Sequence, residues 1–274
     1  ERLAGQPDTA FDTALPLLPY QRVGSAFLKR LGSGLLGDDV GLGKTLQAIA
    51  VIESDPEVKQ VLVFCPAILK YQWQSELEKF LDGKVSSVVI DGSADKRDKL
   101  WRESAKYVIA NYELLLRPRD FYHMTSRHWD YIVADEATKV SNPYAKQSRA
   151  LKRLRSTHRF AMSGTPISNR PDDIWNVIDF TNPGVLGSYQ QFLTRYCLKN
   201  QWGGIFAYQN MAELQMRVRR YMIRRTKEQV LIDLPEKIAS EVPFMLSEKE
   251  QKLYEQIKKE ILFEIEKELI DKVE

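Results

Sequence analysis

The residues most able to do chemistry stand near the start of the chain, in Asp38-Asp39-Val40-Gly41-Leu42-Gly43-Lys44-Thr45. A short apolar run, Ser33-Gly34-Leu35-Leu36, leads into this stretch, and the helix-forming Leu46-Gln47-Ala48-Ile49-Ala50 follows it. Strand, glycine-rich turn, then Lys-Thr at a helix start is the context that a phosphate-binding loop requires. Gly41, Leu42 and Gly43 can turn their backbone N–H groups inward as a nest for anionic oxygens, and the helix adds its positive end. Lys44 can then reach the β- and γ-phosphates, and the Thr45 hydroxyl can complete a Mg²⁺ shell. The general loop has glycine six residues before its lysine; here Asp38 holds that place. The stretch is expected to bind a nucleotide.

A second centre lies at Asp135-Glu136, directly after the strand-like Tyr131-Ile132-Val133-Ala134. Parallel sheets place ligand sites at strand carboxyl ends. In that setting Asp135 would hold Mg²⁺, and Glu136 would orient and polarise an attacking water. Taken alone, the pair could equally be an acidic turn before a helix. Ser163-Gly164-Thr165-Pro166, after Arg159-Phe160-Ala161-Met162, offers short hydroxyls that could bond the acidic pair; a bare turn would look the same.

The elements that must carry these groups alternate. Of 274 residues, 43% are hydrophobic and 28% charged, enough for a sizeable core. A net charge of +3 is too mild to argue for nucleic acid by itself. Two cysteines and three scattered histidines support neither a disulfide framework nor a zinc site. No apolar run reaches membrane-span length and no signal peptide is visible, so the chain is expected to be soluble and intracellular. Helical spacing covers Pro19 to Leu31, Ala67 to Leu81 and Ser93 to Glu103. Apolar runs at Val61–Pro66, Val85–Ile90, Tyr107–Ala110, Tyr131–Ala134 and Arg159–Met162 read as strands. The expected fold is α/β, a parallel sheet flanked by helices. Residues 1–17 show no period and read as a linker, 18–183 as the nucleotide-binding lobe, and 184–274 as a mostly helical extension. Ser247-Glu248-Lys249-Glu250 is a capping box opening a helix with Leu253, Ile257, Ile261, Ile265 and Leu269 on one face. The chain stops inside that helix without a stop signal, and the natural polypeptide is expected to continue.

Together, Asp38–Thr45, Asp135-Glu136-Ala137-Thr138 and Ser163-Gly164-Thr165-Pro166 resemble motifs I, II and III of Swi/Snf-type ATPases, the double-stranded-DNA translocases of helicase superfamily two. Leu18-Pro19-Tyr20-Gln21 resembles that family's Gln motif, which implies that Gln21 reads the adenine edge. Cys65-Pro66 with Leu69, Trp73 and Glu76 is similar to motif Ia, and Asn111-Tyr112-Glu113 to motif Ib. Asn169, Trp175, Phe180, Pro183, Arg224-Arg225-Thr226-Lys227 and Leu234-Pro235-Glu236-Lys237 continue the pattern, so the resemblance runs from about Leu18 to Tyr254. It implies a P-loop NTPase of RecA-like fold with a family-specific protrusion after Pro183. ATP and Mg²⁺ are the implied cofactors. A second RecA-like lobe, which carries the arginine fingers in the family, has no counterpart here.

The resemblance also implies partners: double-stranded DNA, and a protein–DNA complex as the object remodelled. Pro66, Lys70, Asn111 and Tyr112 are the candidates for holding one strand's backbone, with main-chain N–H groups contributing. Trp73 has two readings, a DNA-side residue or a core tryptophan beside Leu69 and Leu77, and the core reading is favoured. Arg217, Arg219, Arg220, Arg224 and Arg225 could face DNA or form internal ion pairs. Thr138, Ser163, Gly164 and Thr165 would couple the nucleotide to the other lobe; Thr138 stands where the family most often has His or Gln. Two alternatives stay open: a DNA- or partner-binding module with a degenerate ATPase, and a strand-separating helicase or restriction-type motor.

Overall fold

The structure, a computed structural model, describes residues 15–165, 171–230, 247, 250–251 and 254–258. Asn169, Pro166 and Leu234–Lys237 fall outside the described residues, as do Leu253, Ile261, Ile265 and Leu269 of the last helix. By its packing the chain divides into two units, 1–232 and 233–274.

The first unit alternates strand and helix as its apolar runs require. Helix α1 (Pro19–Leu31) opens with proline at its first turn, where a missing N–H costs nothing, and ends at Gly32. Next come β1 (Gly34–Leu36), α2 (Lys44–Glu53), β2 (Val61–Cys65), α3 (Lys70–Phe80), β3 (Ser87–Val89) and α4 (Ala94–Leu100). They are followed by β4 (Tyr107–Asn111), α5 (Pro118–Thr125), β5 (Trp129–Asp135), α6 (Lys146–Lys152), β6 (Ser156–Met162) and α7 (Asp173–Thr181). The unit closes with α8 (Tyr189–Tyr196), β7 (Cys197–Lys199), β8 (Ile205–Tyr208), α9 (Met211–Val218), β9 (Met222–Ile223) and the short α10 (Lys227–Val230).

Seven strands form one sheet in the order β3-β4-β2-β5-β6-β1-β9, and every recorded pairing in it is parallel. Strand side chains alternate between faces, and both faces are dry. Leu35, Leu62, Phe64, Val108, Ala110, Ile132, Ala134 and Ala161 point into one core, which α6, α7, α8 and α9 help to fill. Their neighbours Leu36, Val63, Cys65, Ile109, Tyr131, Val133, Phe160 and Met162 point into the other, beneath α1, α2 and α3. A sheet buried on both sides explains why its strands read as unbroken apolar runs.

Three expectations need correction. Leu15 and Leu17, read as linker, are buried in the core with α1 and α2. The sheet is not complete at Pro183: the chain returns at β9 and pairs with β1. The stretch read as mostly helical also holds an antiparallel hairpin, β7 with β8. Its turn is tied by Asn200, whose Oδ1 accepts from the N–H groups of Trp202 (3.1 Å) and Gly204 (2.8 Å). Strands of three and four residues are too short to show a period.

In the second unit the capping box at Ser247 forms as its residue types require. Glu250 Oε2 accepts from the Ser247 N–H (2.9 Å) and hydroxyl (2.6 Å), and the Glu250 N–H donates to Ser247 Oγ (3.4 Å).

Candidate nucleotide site

Strand register brings the motifs together. Asp135, Met162, Leu36 and Ile223 stand level across β5, β6, β1 and β9. The loop leaving β1, the acidic end of β5 and the turn leaving β6 therefore meet at one edge of the sheet. The Ser163 N–H donates to Leu36 O (3.1 Å), and Ser163 Oγ accepts from the Thr165 N–H (3.1 Å), so this turn lies between the loop and the acidic pair.

In the loop, Gly41 (φ 87°) and Gly43 (φ 69°) adopt the left-handed conformation that a nest of N–H groups needs, and α2 begins at Lys44. The Lys44 ammonium donates to the carbonyls of Asp38 (2.8 Å) and Asp39 (3.1 Å). Burial lowers its pKa, and the Glu136 and Asp135 carboxylates pull it back up. Thr45 is half-buried in the first turn of α2. Gly164 closes against the loop: a Cβ there would stand 2.5 Å from Val40 Cγ2 and 3.6 Å from Lys44 Nζ.

Asp135 is buried and held on three sides. Its Oδ2 accepts from Trp73 Nε1 (2.8 Å), its Oδ1 from the Glu136 N–H (2.9 Å), and its carbonyl from the Tyr112 hydroxyl (2.7 Å). Burial raises the carboxyl's pKa even so, against the pull of the Trp73 and Glu136 N–H donors and of Lys44. Glu136 takes a left-handed backbone (φ 49°), and burial, then the Asp135 charge, raises its pKa as well. Burial disfavours the charged form of both carboxylates, and a bound cation would offset that. A buried carboxylate and a hydroxyl at a helix start are hard oxygen donors that fit Mg²⁺. Among the described residues no group of three His, Cys, Asp or Glu could hold a metal alone, so Mg²⁺ would complete its shell from phosphate oxygens and water.

Other expected site residues are placed differently. Gln21 is buried against the loop, where its Nε2 donates to Leu42 O (3.2 Å) and its Oε1 accepts from the Leu18 N–H (2.9 Å). The Asp38 carboxylate, counted among the nucleotide contacts, turns away and pairs with Arg225. Its main chain carries the loop; its side chain anchors it. Thr138 is half-buried in the short helical turn Ala137–Val140 that follows Glu136.

The model of the SNF2-related domain family matches residues 20–273. The chain belongs to the SNF2-related family. The SWI2/SNF2 ATPase core of Sulfolobus solfataricus, solved in complex with double-stranded DNA, superposes with a TM-score of 0.72 and 32% identity, over 96% of this chain and 56% of that one. The TATA-binding protein-associated factor BTAF1 of Arabidopsis thaliana is 36% identical over 86% of this chain, and the putative ATP-dependent helicase/translocase YwqA of Bacillus subtilis 36% over 89%. The chain spans 13% and 27% of those two relatives' lengths.

In this SNF2-related domain the four residues expected at a duplex split into two pairs. Cys65 and Asn111 are register partners on β2 and β4, so Pro66 and Asn111 stand side by side at the sheet edge, both half-exposed. Lys70 and Tyr112 are turned inward. The Lys70 ammonium is spent on Ile90 O (3.0 Å) and Asp91 Oδ1 (2.8 Å), and Tyr112 stacks on Phe64 while bonding Asp135. Their side chains are therefore corrected from DNA contacts to supports. Trp73 is a core residue, as favoured, and a donor to Asp135 as well. Two of the five arginines turn inward, Arg225 to Asp38 and Arg217 to Val185 O (2.7 Å), while Arg224 is exposed and lies 3.7 Å from Asp39. Arg219 and Arg220 are exposed. Sequence reasoning missed Gln47, whose Nε2 donates to Asp38 Oδ2 (3.2 Å), and the pairing of Trp73 and Tyr112 with Asp135. An aromatic at helical spacing gives no sign that its N–H or O–H has a buried acceptor.

Proposed function

We propose that this chain is the first RecA-like lobe of an ATP-driven double-stranded-DNA translocase of the Swi/Snf type, acting on protein–DNA complexes. The observation that carries the reading is the level alignment of β5, β6 and β1, which brings Lys44, Asp135–Glu136 and Ser163–Thr165 to one edge of the sheet. The likeness to an ATPase core solved with a duplex supports it.

ATP would lie with its phosphates in the Gly41–Thr45 nest, and Lys44 would exchange its carbonyl partners for the β- and γ-phosphate oxygens. Thr45 and Asp135 would hold Mg²⁺, which would neutralise charge building on the phosphates. Glu136, beside Asp135, would orient and polarise the attacking water. Gln21 would read the adenine edge once released from Leu42 O. The second lobe of the longer protein would close on the site and supply an arginine to the transferring phosphate. Ser163, Gly164, Thr165 and Thr138 would pass that closure to the loop. Pro66 and Asn111, with neighbouring main-chain N–H groups, would grip one strand of the duplex by its backbone, which makes binding indifferent to sequence and sensitive to salt.

Thr138, where the family most often has His or Gln, favours a second reading as a nucleotide- and DNA-binding module without turnover. One measurement separates the two: displacement by the longer chain of a third strand hybridised along a duplex track. ATP-dependent displacement, lost in Glu136→Gln, is expected. Duplex binding without displacement at any ATP concentration would contradict translocation and leave the binding module.

A further inference from the structure

Asp38 and Arg225 lie 187 residues apart in sequence and form one buried hub. Arg225 Nε and its own N–H donate to Asp38 Oδ1 at 3.0 and 3.1 Å, and Nη2 donates to Asp38 Oδ2. Nη1 donates to the Tyr20 carbonyl, and Nη2 also to Gln47 Oε1 at 2.9 Å. The guanidinium lies over the Tyr20 ring, 5.5 Å from its centre. The Asp38 side chain is fully buried and that of Arg225 is 12% exposed. Gly24 of α1 comes so close that a Cβ there would collide with Gln47 and with Arg225 Nη2. The hub thus joins α1, the phosphate loop, α2 and the segment after β9.

The main chain repeats this pairing along the loop's entry. The Gly37 N–H donates to Ile223 O (2.8 Å), the Asp39 N–H to Arg225 O (3.0 Å), and the Lys227 N–H to Asp39 Oδ2 (3.2 Å). Residues 37–39 are therefore strapped to residues 223–227.

A carboxylate at position 38 is a liability in a loop built to receive a polyanion. Unpaired, it would be a buried charge opposing the incoming phosphates. The guanidinium fork cancels it and fixes its direction. We propose that Arg225 is a positioning residue for nucleotide binding: by neutralising and orienting Asp38 it sets the loop's affinity for ATP. The segment returning from residues 184–221 thereby holds the nucleotide loop in its binding form. The inference rests on the reading of this loop as an ATP site.

The test is calorimetric binding of ATP with Mg²⁺ to this chain and its variants, with melting temperatures recorded alongside. Wild type binding and Lys44→Ala not binding is the result on which the ATP reading stands; failure of wild type to bind sinks that reading, whatever Arg225 does. Given binding, Arg225→Gln is expected to lose about tenfold in affinity or more. The double variant Asp38→Asn/Arg225→Gln is expected to return to within about threefold of wild type, because no naked charge remains. In the longer chain the loss should fall on KM rather than kcat. A folded Arg225→Gln that binds like wild type would overturn the proposal, as would a double variant no better than the single. If Arg225→Gln does not fold, Arg225→Lys, which keeps the charge and loses the fork, takes its place with a smaller expected loss. Loss of fold in both would overturn the proposal too, since the pair would then be holding the domain and not the loop.

Discussion

To hold Mg²⁺ as proposed, Asp135 must be ionised and correctly aimed, and the side chains that hold it come from the two neighbouring strand ends on its other flank. Trp73 reaches it from the helix after β2, and Tyr112 from the turn after β4. Removing the indole N–H leaves Asp135 Oδ2 without its buried side-chain donor, a loss of about 1–3 kcal/mol. Trp73→Phe is therefore expected to lower unfolding stability in urea by about that much and to raise the Mg²⁺ concentration needed for half-maximal ATP binding. Unchanged Mg²⁺ dependence would reduce Trp73 to a packing residue. Lys70 gives a pH signature. The Lys70 ammonium, then the Tyr71 hydroxyl, hold the Asp91 carboxyl down at about 2 from its ordinary 3.8. A depressed acid adds stability above its unfolded pKa and loses it as pH falls through the folded one. Asp91→Asn should cost no more than about 1 kcal/mol at pH 7, because the Asp91 carboxylate is 44% exposed, solvent screens the pair, and Lys70 keeps its bond to Ile90 O. The gap from wild type should close as pH falls from about 4 to about 2, which acid titration of urea midpoints measures.

At the scale of elements, close approach between the β6 turn and the phosphate loop is what lets one report on the other. Gly164→Ala would drive a methyl into Val40 Cγ2. A loss of ATP affinity of about tenfold is expected, and Val40→Ala in the same chain should recover most of it; a tolerated alanine would show that the turn and loop move independently. This scale also shows what the sequence makes legible. Pro19–Leu31 and Val61–Cys65 appear in the structure where their patterns placed them, because a proline start or an unbroken apolar run leaves little choice. The glycines of the loop were legible for the same reason: Gly41 and Gly43 take the left-handed backbone that favours glycine. Arg225 was not, since a long-range ion pair leaves no periodic trace, and neither was β9, which is two residues long and is specified by its partner β1. Lys70 was misplaced because a lysine beside a strand end looks solvent-bound until its acceptor, 21 residues on, is seen.

At the scale of the molecule, the proposed reading gives this lobe the phosphate loop, the acidic pair and one face of a duplex grip, and assigns to a second lobe the arginine that would be aimed at the transferring phosphate. The 274-residue chain alone is therefore expected to bind ATP and to hydrolyse it at near background rate, since such an arginine is worth about 10³–10⁵ in turnover. Robust turnover by the isolated chain, abolished by Lys44→Ala, would mean that the site is complete without a partner lobe. The central claim concerns coupling between that chemistry and a duplex. It is tested most directly by ATP turnover of the longer chain with and without double-stranded DNA, with Glu136→Gln as control. Stimulation of about tenfold or more by duplex, lost in the variant, is the result the account expects. Turnover indifferent to duplex, or none with any nucleic acid, would contradict it.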